Sequence, residues 1–252
     1  MVFGSKALLV SILSTLLLTC SADFMPGLKK GEVPTSQHVK ERISPPKEQQ
    51  LYNVFYAKGH RIYQCNPERR RFMRWYNVQN QAFLYATKGK TAPFDVPGNE
   101  IGQISSAPMN QTLHMSVFQT PIHFQKSDPV ELYTTAYYYP DGSWYATGHP
   151  LAGTSQEEGR DERGDTGVNL DDHLTKSAWT STDGYFSHAE YIVRLNALDG
   201  AHPDKHACTV KGEVLVRPFT AYMMLYSSPQ GIQTLAKEQA EWDALVEKTR
   251  GA

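Results

Sequence analysis

From Leu51 onward the chain alternates apolar and polar positions in short segments broken by turn residues, the pattern of strands with one face buried. "LYNVFYAKGHRIYQC" predicts two strands around Lys58-Gly59 as a tight hairpin. "RFMRWYNVQNQAFLYAT" predicts a second pair, and "VELYTTAYYYPDGSWYATG" a third with Pro140-Asp141-Gly142 as its turn. "YFSHAEYIVRLNAL", "GEVLVRP" and "FTAYMMLYS" complete the set, with no helical periodicity between them. The pattern predicts an all-β protein: an antiparallel β-sandwich or barrel with a C-terminal α-helix. The helix is expected over 229–250, capped by Ser228, with Pro229 in its first turn. Ile232, Leu235, Ala236, Trp242, Leu245 and Val246 recur at helical spacing, a stripe expected to pack across a sheet face or barrel mouth.

The segments outside this pattern set the expected organisation. Residues 1–22 have Lys6, an apolar run and then Cys20-Ser21-Ala22, the layout of a signal peptide cut after Ala22. A lipid anchor on Cys20 is a second reading, disfavoured by Thr19 before the cysteine. Residues 23–50 are polar and carry Pro26, Pro34, Pro45 and Pro46, which predicts an extended arm ahead of the β-rich domain at 51–228. "GTSQEEGRDERGDTGVNLDD", 153–172, carries seven acids, two arginines and four glycines. It predicts a solvated, mobile acidic loop and the first site of proteolysis. No segment after the leader is apolar enough to predict a membrane span. The expected location is secreted and extracellular.

Composition narrows the function classes. Removing the leader takes Lys6 from the 25 basic residues and none of the 26 acids. That balance gives no electrostatic pull toward nucleic acid. Of three cysteines, Cys65 and Cys208 would remain, and a pair in an oxidising compartment reads as a disulfide. Two free thiols are the alternative. Asn110-Gln111-Thr112 is an N-glycosylation acceptor in a eukaryotic host. Dinucleotide, P-loop, nucleophile-elbow and zincin motifs are all missing from the sequence. No catalytic residue, metal or cofactor is expected.

Four stretches carry candidate chemistry. In "DGAHPDKHAC", His202 and His206 stand four apart, but Pro203 and Asp204 oppose the helix that metal geometry needs. A hydrogen-bonded loop beside the disulfide is the better reading. His188 and Glu190 would share one strand face there. In "VELYTTAYYYP", Tyr133, Tyr137 and Tyr139 fall on one face, and Trp144 follows across the turn. They either fill the core or form a platform for sugar rings and flat apolar surfaces. "ERRRFMRW" sets Arg70, Arg71 and Arg74 among Phe72 and Trp75, either a grip for an acidic polysaccharide or a solvated turn entering a strand. Arg163-Gly164-Asp165 matches a short integrin-binding tripeptide, a coincidence-prone pattern.

"GHRIYQC", "IGQISSAP", "DGSWYATG", "YIVRLNALDGAHPDKHAC" and "VRPFTAYMMLYSS" occur in that order. Together they resemble a secreted fungal and bacterial family, domain of unknown function 3455. The likeness runs from about Leu51 to Ser228 and is most specific over Tyr191 to Cys208. Some fungal members carry a malate dehydrogenase label, which would require a dinucleotide fingerprint that this chain lacks. The family supplies no catalytic residues to carry over. Ala197, Asp199 and His202 depart from its pattern, as does "DDHLTKSA".

Two function classes follow as expectations. The first is a non-catalytic protein of the cell surface or extracellular matrix that contacts polysaccharide through aromatic and arginine surfaces. The second is a barrel that binds or transforms a small apolar molecule.

Overall fold

The computed structural model describes residues 28–29, 31–70, 74–108, 113–114, 121–122, 133–138, 143–147, 151–153 and 169–250. Strands β1 (Gln50–Cys65), β2 (Trp75–Ala86), β3 (Glu100–Pro108), β4 (Leu113–His114), β5 (Pro121–Ile122), β6 (Tyr133–Tyr138), β7 (Trp144–Thr147), β8 (Ala152–Gly153), β9 (His173–Thr180), β10 (Tyr191–Asp199) and β11 (Val214–Ser227) precede helix α1 (Pro229–Arg250). The main sheet runs β10-β11-β1-β2-β3-β6-β7-β9-β8, and β9 also pairs back with β10. All its pairings are antiparallel. Leaving aside β8 and the small β4–β5 pair, the ring visits its strands in chain order and closes by joining β11 to β1. Of sandwich and barrel, the molecule is an up-and-down barrel.

Register identifies the inside. Phe55, Leu84, Ile104, Tyr145, Ile192 and Met223 come from strands all around the ring and share one buried cluster. Phe186, from the loop before β10, joins them with no exposed surface. The opposite faces of β1, β2, β9, β10 and β11 form a second cluster of Val54, Tyr85, Leu174, Val193, Leu195, Tyr222, Met224 and Tyr226. Leu28, Ile43 and Phe94 cover it. The N-terminal arm packs onto the barrel: Leu28 is 4% exposed and Ile43 fully buried, so the arm supplies an outer layer. β11 is sandwiched between core and cover, which is why "FTAYMMLYS" is apolar on both faces.

Several boundaries differ from the sequence pattern. Lys58-Gly59 makes no hairpin, because β1 is continuous from Gln50 to Cys65. Gly59 is there for space: a Cβ on it would lie 2.1 Å from the Gln81 carbonyl oxygen and 2.3 Å from the Ala82 Cα. "RFMRWYNVQNQAFLYAT" likewise contains one strand, and "GEVLVRP" and "FTAYMMLYS" fuse into β11. Pro218 is tolerated because it lies one residue beyond the last β10 pair, Asp199 with Phe219, where that edge is open. The β6–β7 hairpin forms as expected.

The acidic segment is narrower than 153–172. Gly153 pairs with His173 in the β8–β9 ladder, Asn169 bridges to Gly200, and Asn169 and Leu170 are buried. The span between them, with its integrin-like tripeptide, lies outside the described residues.

Helix α1 begins where expected: the Gly231 backbone N–H donates to Ser228 Oγ at 3.3 Å. Glu190 secures the junction, accepting from Gln49 Nε2 at 2.7 Å and from the Ser228 N–H at 3.1 Å. Burial alone would raise the Glu190 pKa, but these bonds and Lys176 outweigh it and hold the carboxyl below its ordinary value. The described part of the helix stripe is not buried against the barrel. Ile232 and Leu235 are only half-buried and Ala236 is exposed, while the side chains of Trp242, Leu245 and Val246 lie outside the described set.

Candidate functional site

On the outside of the barrel, Tyr56 of β1 stands directly opposite Tyr222 of β11. Their ring centroids are 5.4 Å apart, and Phe94 closes the triangle at 6.0 Å from Tyr56 and 6.4 Å from Tyr222. The three rings wall a cleft of about 390 Å³ that Lys29, Asn196, Leu198 and Thr220 help line. Its size falls in the range of small-ligand sites. The Lys58–Asp95 ion pair, 2.6 Å, ties the Phe94 loop to β1 at the rim. Asn196 reaches the cleft because β10 bulges between Leu195 and Leu198, placing Asn196 at φ 49. Asparagine is enriched in that left-handed region. Burial, and then Tyr56, pushes the Tyr222 hydroxyl up to about 12, so it stays a neutral phenol. The cleft thus offers the half-buried Tyr56 ring and the edges of Phe94 and Tyr222, neutral polar groups, the exposed Lys29 and the Asp95 carboxylate that Lys58 pairs. That set suits binding a ring-bearing molecule.

At the end of the barrel marked by the disulfide, the inward-facing residues turn polar. Cys65 and Cys208 are bonded with Cα atoms 5.4 Å apart, and Tyr63, Trp75 and Leu215 pack around them. Tyr63 donates to the Gly200 carbonyl at 2.7 Å. Gly200, at φ +83, has no room for a side chain, since a Cβ would meet that of Phe219 at 2.6 Å. His202 is exposed and sets its ring edge-on to Tyr63, 6.5 Å away. His206 is exposed in a short 3-10 turn that Asp204 caps by accepting its N–H at 2.7 Å. The loop "DGAHPDKHAC" is therefore capped and disulfide-tied, and among the described residues no group of three or more metal-ligating side chains forms.

The other expected positions fall out differently. His188 and Glu190 are not on one strand face: both precede β10, and His188 Nε2 meets Glu238 Oε2 of α1 at 3.0 Å. Arg70 is exposed and Arg74 half-buried in the turn before β2, while Arg71 and Phe72 lie outside the described residues. Trp75 is buried against the disulfide rather than presented outward. The stacked arginine of this turn is Arg69, 4.0 Å over the Tyr76 ring. Register sets Tyr137 opposite Ile104 and Tyr133 opposite Pro108. Their side chains, that of Trp144, and all of Tyr139 and Asn110 lie outside the described residues. The described aromatic of that hairpin is Tyr145, completely buried in the core.

Asp172 and His173, at the start of β9, carry opposite pH signatures. Burial raises the Asp172 carboxyl to about 6, against its hydrogen bond from Ala197 and the charge of Arg194. Burial, then Arg194 and Arg61, hold His173 well below its ordinary value. The stability Asp172 contributes is full below about 3.8 and is lost as pH rises through about 6. For His173 the unfolded chain binds a proton that the native state refuses, so stability falls as pH drops below about 6.5. Each slope is at most about 1.4 kcal/mol per pH unit, and between pH 4 and 6 they oppose. Urea midpoints measured relative to wild type should therefore move in opposite directions. Over pH 6 to 4, Asp172→Asn loses relative stability and His173→Gln gains it. Parallel changes in the two variants would contradict this assignment.

The chain is thus a closed antiparallel β-barrel with an aromatic cleft on its outside. No protein-family model, curated protein or solved structure matches the chain.

Proposed function

We propose that this is an exported, non-catalytic binding protein whose cleft takes a neutral ring-bearing ligand, the sugar ring of an extracellular polysaccharide. The observation that carries the reading is the triangle of Tyr56, Phe94 and Tyr222 around a space of about 390 Å³. Aromatic faces with polar groups at the edge match the alternating CH and OH surfaces of a pyranose, and tyrosine suits wet contacts. The leader-like residues 1–22 and the Cys65–Cys208 bond support an oxidising, extracytoplasmic location.

Cosedimentation with insoluble cellulose, chitin and xylan tests it, alongside a thermal-shift series with small apolar compounds. Retention on a polysaccharide should fall about fivefold in Tyr56→Ala, a loss of roughly 1 kcal/mol. Arg70→Ala, remote and exposed, should not change it. Retention unaffected by Tyr56→Ala, or thermal shifts with apolar compounds alone, would overturn the reading.

A further inference from the structure

Beyond the outer cleft, the inner face of the barrel gathers cations. Arg61 of β1 stands directly opposite Arg217 of β11, and Arg194 of β10 directly opposite His173 of β9. Arg61 shares its face with Phe55 and Ala57, and Arg194 pairs with the core residue Met223, so all four positions lie on the interior side. Arg61 and Arg217 are both half-buried. Like charges directly opposite on neighbouring strands are destabilising, and a buried guanidinium is costly without a counter-charge.

Among the described residues, the partners of Arg61 and Arg217 do not neutralise them. Arg61 Nε donates to Asn80 Oδ1 at 2.9 Å, and its guanidinium lies 5.2 Å from the centre of the Tyr63 ring. Arg217 Nε is buried and has no hydrogen-bond acceptor. Arg194 is anchored by its Nε and Nη2 on the Asp171 carbonyl, 3.1 and 2.5 Å, and its charge also acts on the Asp171 and Asp172 carboxyls. Among the described residues, no carboxylate makes an ion pair with Arg61 or Arg217. The fields of these arginines reach their neighbours: Arg194 and Arg61 both depress His173, and Arg61, Arg194 and Arg217 all act on the Tyr63 hydroxyl.

We infer that Arg61 and Arg217, with Tyr63 beside them, form an internal oxyanion-binding site that takes a carboxylate or phosphate group. Planar guanidiniums match both groups with paired N–H donors. An anion between Arg61 and Arg217 turns the repulsion across β1 and β11 into attraction, and it gives Arg217 Nε the acceptor it lacks. The site is independent of the outer cleft, which lies on the other face of the same strands.

The test uses the disulfide-intact mature chain. Melting temperature is followed against inorganic phosphate and, separately, benzoate, each with chloride at matched ionic strength as control. A saturable rise with either probe is expected, and the probe that gives it distinguishes phosphate from carboxylate. Arg217→Gln should abolish the rise and leave the melting temperature in chloride unchanged or higher, because it removes an uncompensated cation. Arg69→Gln should keep the rise. A second reading on wild type is the His173 imidazole titration by NMR. Its pKa should move up by about one unit when the probe binds, as an anion offsets the fields of Arg61 and Arg194. No saturable rise with either probe overturns the inference. So does a rise that survives in Arg217→Gln, a loss of stability in chloride on that substitution, or a His173 titration indifferent to the probe.

Discussion

Cys208→Ala should unfold about 10 °C below the wild type, far beyond His202→Ala or His206→Ala in the same loop. The bond joins residues 143 apart in sequence. The chain-entropy account assigns closure of so long a loop up to about 5 kcal/mol, and removal of such bonds commonly costs about 2–5 kcal/mol. For a domain of this size each kcal/mol is worth about 2–4 °C. Packing adds to the loss, since Cys65 and Cys208 are both 1% exposed and Tyr63, Trp75 and Leu215 close around them. His202→Ala and His206→Ala, which alter exposed side chains, should each stay within about 0.5 kcal/mol. Calorimetry under non-reducing conditions checks all three. Equal losses in Cys208→Ala and His206→Ala would show that the loop, not the bond, carries the stability.

Gly59→Ala should be nearly as damaging, at about 3 kcal/mol or more, although it adds one methyl group. The added carbon would lie 2.1 Å from a carbonyl oxygen and 2.3 Å from a Cα of β2. Both are backbone atoms, so no side chain can swing aside, and β1 must separate from β2 in the middle of its ladder. That is beyond ordinary overpacking, which costs about 1–3 kcal/mol. Gly153→Ala is the control: its Cβ would meet nothing closer than 3.6 Å. Denaturant midpoints for the two variants should differ by most of the Gly59 effect. If they match, the close approach of β1 to β2 is not what Gly59 provides.

The same glycine shows where the sequence was legible and where it was not. Period-two alternation revealed the strand character of β1, β10 and β11, though not that β1 and β11 are each continuous, and Ser228-Pro229 revealed the start of α1, because those signals are local. Lys58-Gly59 mimics a turn, yet the glycine answers to β2, some twenty positions further along the chain. Strand β9 was hidden because "HLTKSAWT" mixes polar and apolar residues on both faces. Its pairing changes from β8 and β10 at one end to β7 at the other.

That the arm packs on the barrel was not legible for a related reason. Its buried Leu28 and Ile43 are isolated among prolines and charges, and only the outward aromatic face of β1 and β11 gives them something to cover. Arg61, Arg194 and Arg217 were visible as arginines within strand-like runs. That they share one face follows from the ring's register, which local pattern does not contain.

The ring's closure also imposes an order on the molecule's birth. β1 finds its longest ladder with β11, the final strand, from Gln50 opposite Ser227 to Gln64 opposite Val214. A chain emerging from the ribosome can zip β1 to β2 to β3 as it grows, but one flank of β1 must wait for nearly everything else. Until then the nascent meander carries two unsatisfied edges and an uncovered interior, and pairings of such long range form slowly. Cys65 meanwhile has no partner, because Cys208 is made only just before the closing strand.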